Sequence, residues 1–159
     1  MITIKEETIL NVPAKSVFNF LTNIDYLYKK WHPKDHVFCK TIFGSLSKKG
    51  CVFHFLEKIG WFPLYGVVKV TKIQRDEYIE YEPVFPLSRL KIFKGYFAIN
   101  SLAPDKSQLV AYVEYGDRFG IFDKIANLFV NPVLVRKHIV EEGENLKNHL
   151  EAGYKGSWK

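Results

Sequence analysis

Residues 128–150 read LFVNPVLVRKHIVEEGENLKNHL, and their spacing sets the architecture of everything before them. At about 100° per residue, Leu128, Val135, Ile139, Leu146 and Leu150 fall within roughly 60° of one another. That is an apolar stripe, and it must be covered by a sheet. The helical period holds from Asp117 to about Leu150, with Pro132 removing one backbone donor and predicting a kink. On the same wheel His138 and Glu142 lie about 60° to 100° from the centre of the stripe, at its border. Four residues apart, they stack one turn from each other. This spacing suits either the chelation of a divalent ion or ordinary decoration of a helix surface.

Upstream of this helix the period is that of strands. Residues 2–10 alternate, with Ile2, Ile4, Ile9 and Leu10 as the apolar positions, and Asn11-Val12-Pro13 ends the run. Val17, Phe18 and Leu21 then recur at helical spacing up to Asn23, and a second short helix follows from Asp25 to Trp31, stopped by Pro33. From His36 to Tyr115 the turn residues Gly44–Gly50, Gly60, Arg75-Asp76, Pro83–Ser88 and Pro104-Asp105-Lys106 cut the chain into about six strands. Their short connections favour an antiparallel meander. The expected fold is α+β: a curved antiparallel sheet of about seven strands around one long C-terminal helix, enclosing an aromatic-rich cavity. No repeat or linker divides residues 1–159, so one domain is expected.

Composition narrows the function classes. The 159-residue chain is 47% apolar and 16% aromatic, with a net charge of +6. The charge comes from scattered lysines such as Lys29, Lys30, Lys48, Lys49, Lys91 and Lys94, without the basic stripe and exposed aromatics that nucleic-acid binding requires. No run approaches the ~20 apolar residues of a membrane span. The alternating start does not read as a secretory leader, and the two cysteines, Cys39 and Cys51, lack a CxxC spacing. The expectation is a cytoplasmic protein with both thiols reduced and buried. Glycine-rich phosphate loops and a Gly-x-Ser-x-Gly elbow are absent, so no nucleotide cofactor is expected.

Two more groups could carry chemistry. Residues 31–36, Trp-His-Pro-Lys-Asp-His, bring two imidazoles and a carboxylate together where the second short helix meets the first sheet strand. Pro33 is expected to keep His32 and His36 off a common helical face, so that only one of them points inward. In the strand from Cys51 to Ile59, alternation puts Phe53, Phe55 and Glu57 on one face. If that face is inward, a carboxylate among rings needs a partner, and a metal would serve. If it is outward, His54 faces the core instead.

The opening NVPAKSVFNFLTNIDYLYKKWHP and the order of elements resemble the START-like helix-grip superfamily of polyketide cyclases, allergen-like carriers and lipid-transfer domains. Within it, WHPKDH and HIVEEGENL resemble the zinc-dependent diacetylphloroglucinol/phloretin hydrolase family, which cleaves a carbon–carbon bond beside an aryl ketone. The resemblance implies a zinc site formed by His36, Glu57, His138 and Glu142, with Glu57 able to leave the metal and act as general base and Tyr28 as a pocket tyrosine that binds a phenolic oxygen. It departs from that family in having no histidine between His54 and His138. The implied ligand is a small hydrophobic or aromatic molecule. A non-catalytic carrier of such a molecule is the alternative expectation.

Overall fold

The structure is a computed structural model that describes residues 2–84, 93–116 and 131–156. Strand β1 (Ile2–Leu10) leads into two short helices, α1 (Ala14–Leu21) and α2 (Ile24–Trp31). Six strands follow: β2 (His36–Phe43), β3 (Val52–Ile59), β4 (Phe62–Gln74), β5 (Tyr78–Pro83), β6 (Phe93–Ala103) and β7 (Lys106–Tyr115). The last element is helix α3 (Pro132–Gly156). All seven strands form one antiparallel sheet in the order β1-β7-β6-β5-β4-β3-β2. β1 and β2 are therefore opposite edges, and α1 and α2 carry the chain between them.

The helix begins at Pro132 and is not kinked there. Asn131 caps it, its Oδ1 accepting the Val133 N–H at 2.8 Å, and proline fits the first helical position because the donor it lacks has no intrahelical acceptor. Leu128 and the rest of the helix expected before Asn131 lie outside the described residues. Val135, Ile139 and Leu146 are buried as the stripe predicts, and Leu150 packs partly against the core. The helix also runs past Leu150 to Gly156.

α3 reaches the sheet closely enough to exclude a side chain at one position. A Cβ on Gly143 would collide with the Thr8 side chain of β1. Glycine costs about 1 kcal/mol relative to alanine inside a helix, so the close approach to β1 accounts for its use here. Trp31, at the end of α2, donates its Nε1–H to the Glu142 carbonyl at 2.9 Å and ties α2 to the same turn of α3.

The core divides into two clusters. The larger gathers Leu10, Val12, Val17, Phe18, Phe20, Trp31, Phe53, Phe55 and Leu146 near the short helices. The smaller joins Ile4, Ile59, Tyr115, Val135 and Ile139 towards the start of α3. Along α3, His138 and Glu142 sit where the smaller cluster gives way to the larger. Phe53 and Phe55 are buried, whereas His54 lies on the other side of β3, its Nδ1 3.1 Å from the Tyr65 hydroxyl at the exposed surface. The inward reading of the Phe53, Phe55 and Glu57 face is the one observed. Of the Pro83–Ser88 turn, only Pro83 and Val84 are among the described residues.

Candidate metal centre

Strand register makes half of the site. In the antiparallel β2–β3 pair His36 stands directly opposite Glu57, and cross-strand partners share a face of the sheet. The β3–β4 hairpin turns tightly through Gly60 and Trp61, with Gly60 at φ 65°, a left-handed conformation that costs glycine nothing. Helix α3 supplies the other half as His138 and Glu142, one turn apart. The structure thus brings together all four residues that the resemblance implies, each offering a ligand atom within 4.8 Å of the others.

The distances have the scale of a coordination sphere. His36 Nε2 is 2.9 Å from Glu142 Oε1 and 3.7 Å from Glu57 Oε2, while His138 Nε2 is 3.7 Å from Glu142 Oε1 and 3.9 Å from Glu57 Oε2. Ligands about 2.1 Å from a tetrahedral zinc lie roughly 3.4 Å from one another, so the observed edges bracket the ideal. Both imidazoles are buried, yet among the described residues His36 Nε2 and both nitrogens of His138 lack an aligned hydrogen bond. Buried polar atoms left in this state are costly unless something else occupies their lone pairs.

Hydrogen bonding fixes the His36 tautomer. Its Nδ1 lies 2.9 Å from the Tyr28 carbonyl, which only accepts, so Nδ1 carries the hydrogen and the Nε2 lone pair faces the cluster. The Tyr28 ring stacks on His36 at 3.8 Å and 8°, and the Tyr28 hydroxyl donates to Glu57 Oε2 at 2.5 Å. The Tyr28 hydroxyl is therefore held by Glu57.

Burial governs the ionisation of all four groups. It lowers His36 and His138 towards the neutral imidazole and raises Glu142. It pushes Glu57 up to about 7, the charge of Glu142 adding to the effect and the Tyr28 hydrogen bond opposing it. Tyr28 is likewise raised by burial and by the charge of Glu57, so its hydroxyl stays protonated. Neutral imidazoles and reluctant carboxylates, with no lysine or arginine beside them among the described residues, are a donor set that one divalent cation would satisfy. His₂Glu₂ suits zinc, with iron and manganese also compatible.

His32 is buried as well as His36, contrary to the expectation that only one of them points inward. Pro33 lies in a turn closed by the His36 N–H on the His32 carbonyl at 2.9 Å, and the two rings come within 5.4 Å of each other. His32 and Asp35 lie behind His138, a placement that sequence spacing alone did not reveal. Tyr81 was also missed. It packs against Phe53, Phe93 and Phe97 on the concave face, where a Cβ on Gly95 would collide with its ring.

Cys39 and Cys51 are free and buried, and burial pushes the Cys39 thiol up to about 12, as expected of inert core residues. A surface cleft of about 710 Å³ between the start of α1 and the β4–β5 turn contains none of the site residues. No helix among the described residues is long and apolar enough to cross a membrane.

No protein-family model matches the sequence, and no curated protein does. Solved structures share the fold. The Streptomyces aromatase/cyclase Zhui superposes with a TM-score of 0.70 at 13% identity, over 94% of this chain and 93% of its own. Norcoclaurine synthase from Thalictrum flavum gives 0.71 at 11% identity, over 96% of each chain. A START superfamily protein from Mycobacterium smegmatis gives 0.70 at 12% identity, over 94% of this chain and 97% of its own. The architecture is the START-like helix-grip fold.

Proposed function

We propose that this protein is a zinc-dependent hydrolase of a small aryl ketone or related polyketide-like compound, with His36, Glu57, His138 and Glu142 holding the ion. The observation that carries the reading is the convergence of these four donors within 4.8 Å, with buried imidazole nitrogens that make no hydrogen bond among the described residues. An ion bound there supplies Lewis-acid chemistry, polarising a carbonyl and acidifying water. In the reaction the bond from the ring carbon to the acyl carbon breaks. The acyl group gains hydroxyl from water and leaves as a carboxylic acid, and the ring carbon gains a proton.

The chain contributes proton handling and a shaped wall. Glu57, which retains 14% of its side-chain surface accessible, would leave the ion to take a proton from water and return it to the ring. The Tyr28 hydroxyl donates to Glu57 Oε2, which favours the carboxylate and fixes the basic oxygen in place. Trp31, Tyr81, Phe93 and Phe97 make an aromatic wall beside this group, suited to a flat, mostly apolar ligand.

Metal analysis of protein purified without added metal tests the first half, and His138→Ala tests the assignment. One zinc per chain in the wild type and none in the variant is the expected result. Hydrolysis of acyl phenols, abolished by chelation and restored by zinc, tests the second half. A carrier would bind the same compounds with an affinity indifferent to chelator and would leave them intact, and that outcome would overturn the enzymatic reading.

A further inference from the structure

His138 keeps only 5% of its side-chain surface accessible, and its Nε2 is turned towards Glu57 and Glu142. If Nε2 offers its lone pair to an ion, the neutral ring carries its hydrogen on Nδ1, and a buried N–H needs an acceptor. The group facing Nδ1 is the carboxylate of Asp35, whose Oδ2 is 3.5 Å away.

We propose that Asp35 is a positioning residue for His138, holding the ring in the tautomer and orientation that present Nε2 to the metal. The inference rests on the metal reading above. Asp35 is itself well anchored: its N–H bonds the His32 carbonyl at 3.2 Å, and its carbonyl accepts the Lys58 N–H at 2.9 Å. His32 braces the same ring, stacking on His138 at 4.8 Å and 25°. The His32 ring is fixed in turn, since Nδ1 accepts the Asp35 N–H at 3.3 Å and Nε2 lies 3.2 Å from Glu141 Oε2. The short segment from His32 to His36 therefore supplies one ligand and grips another.

A competing arrangement exists, because ligand atoms of His32, Asp35 and His138 also lie within 4.8 Å of one another, as a second ion would require. Proton accounting argues against it. For His32 to offer the Nε2 lone pair, its hydrogen would move to Nδ1 and point at the Asp35 N–H, donor against donor. His138 would also have to surrender its last ring proton to bind two ions at once. A carboxylate–histidine–metal arrangement needs neither change and is a usual support for zinc ligands.

The test measures zinc affinity of the full chain by competition with a chromophoric chelator, for wild type, Asp35→Ala and Asp35→Asn. One zinc per chain is expected, with the dissociation constant rising about 10–100-fold in Asp35→Ala. The rise should be smaller in Asp35→Asn, whose amide oxygen still accepts. Nitrogen NMR of the zinc-loaded wild type should show a slowly exchanging Nδ1–H on His138 that Asp35→Ala loses. Melting temperatures of the metal-free proteins should agree, separating positioning from folding. Should Asp35→Ala not fold, Asp35→Asn carries the comparison, a several-fold weakening being expected and an unchanged affinity overturning the inference. A wild type without zinc overturns the metal reading and this inference together. Zinc bound equally by wild type and Asp35→Ala overturns the inference alone. Two zinc ions per wild-type chain, falling to one in Asp35→Ala, would make Asp35 a ligand and also overturn it.

Discussion

Replacing Glu57 by glutamine should stabilise the metal-free protein at pH 8 while weakening zinc binding. In the metal-free fold this carboxyl is buried beside a second carboxyl, Glu142, and burial with that neighbouring charge pushes it from 4.5 up to about 7. Because the folded value is raised, the contribution of Glu57 to stability is fully present below pH 4.5 and is lost as pH rises through 7. At about 1.4 kcal/mol per pH unit, the metal-free fold forfeits on the order of 3 kcal/mol across that window, less whatever relaxation of the site recovers. Glutamine keeps the shape and can still accept the Tyr28 hydroxyl, but it never ionises. Urea unfolding in the presence of chelator at pH 5 and pH 8 measures the effect. Wild type should lose stability between the two conditions, and Glu57→Gln should lose less. With zinc bound the order reverses, because a charged ligand has been replaced by a neutral one. The electrostatic account fails if the metal-free variant is no more stable than wild type at pH 8, or if the two respond to pH alike.

Two further outcomes follow from the same geometry. Tyr28→Phe removes a hydrogen bond that lowers the Glu57 value, so the loss of metal-free stability should extend to higher pH than in wild type; an unchanged profile in the same urea titration would count against that bond. Gly143→Ala should destabilise the fold by about 1–3 kcal/mol through overpacking against Thr8, despite the better helix propensity of alanine, and Thr8→Ala should restore most of the loss in a double-mutant cycle read by thermal unfolding.

Much of the fold was legible because its signals are local. Alternation marked β1, turn residues marked the strand boundaries, and the stripe of Val135, Ile139 and Leu146 marked the face of α3 that is buried. Pro132 was misread for an equally local reason. The same residue kinks a helix or starts one, and what decides is whether the residue before it caps, as Asn131 does. Pairing across the sheet is a different matter. That His36 stands opposite Glu57 depends on the β2–β3 register and on the irregularity between His36 and Phe38, neither of which alternation can specify. Glu57 could be placed by strand phase on the inward face, but not beside a particular histidine.

The segment His32–His36 shows why local rules miss a site. Proline was expected to separate the two histidines, because it breaks a continuing helix. Here the helix has already ended at Trp31, and Pro33 sits in a new turn closed by the His36 N–H on the His32 carbonyl. That closure faces both imidazoles and the Asp35 carboxylate towards α3, where His138 and Glu142 arrive from more than a hundred positions along the chain. The fold gains little from this meeting. Its apolar clusters lie to either side, and the polar groups between them are pushed by burial away from their charged forms. A polar gap in the core that raises the cost of folding is better explained by what it binds than by what it stabilises.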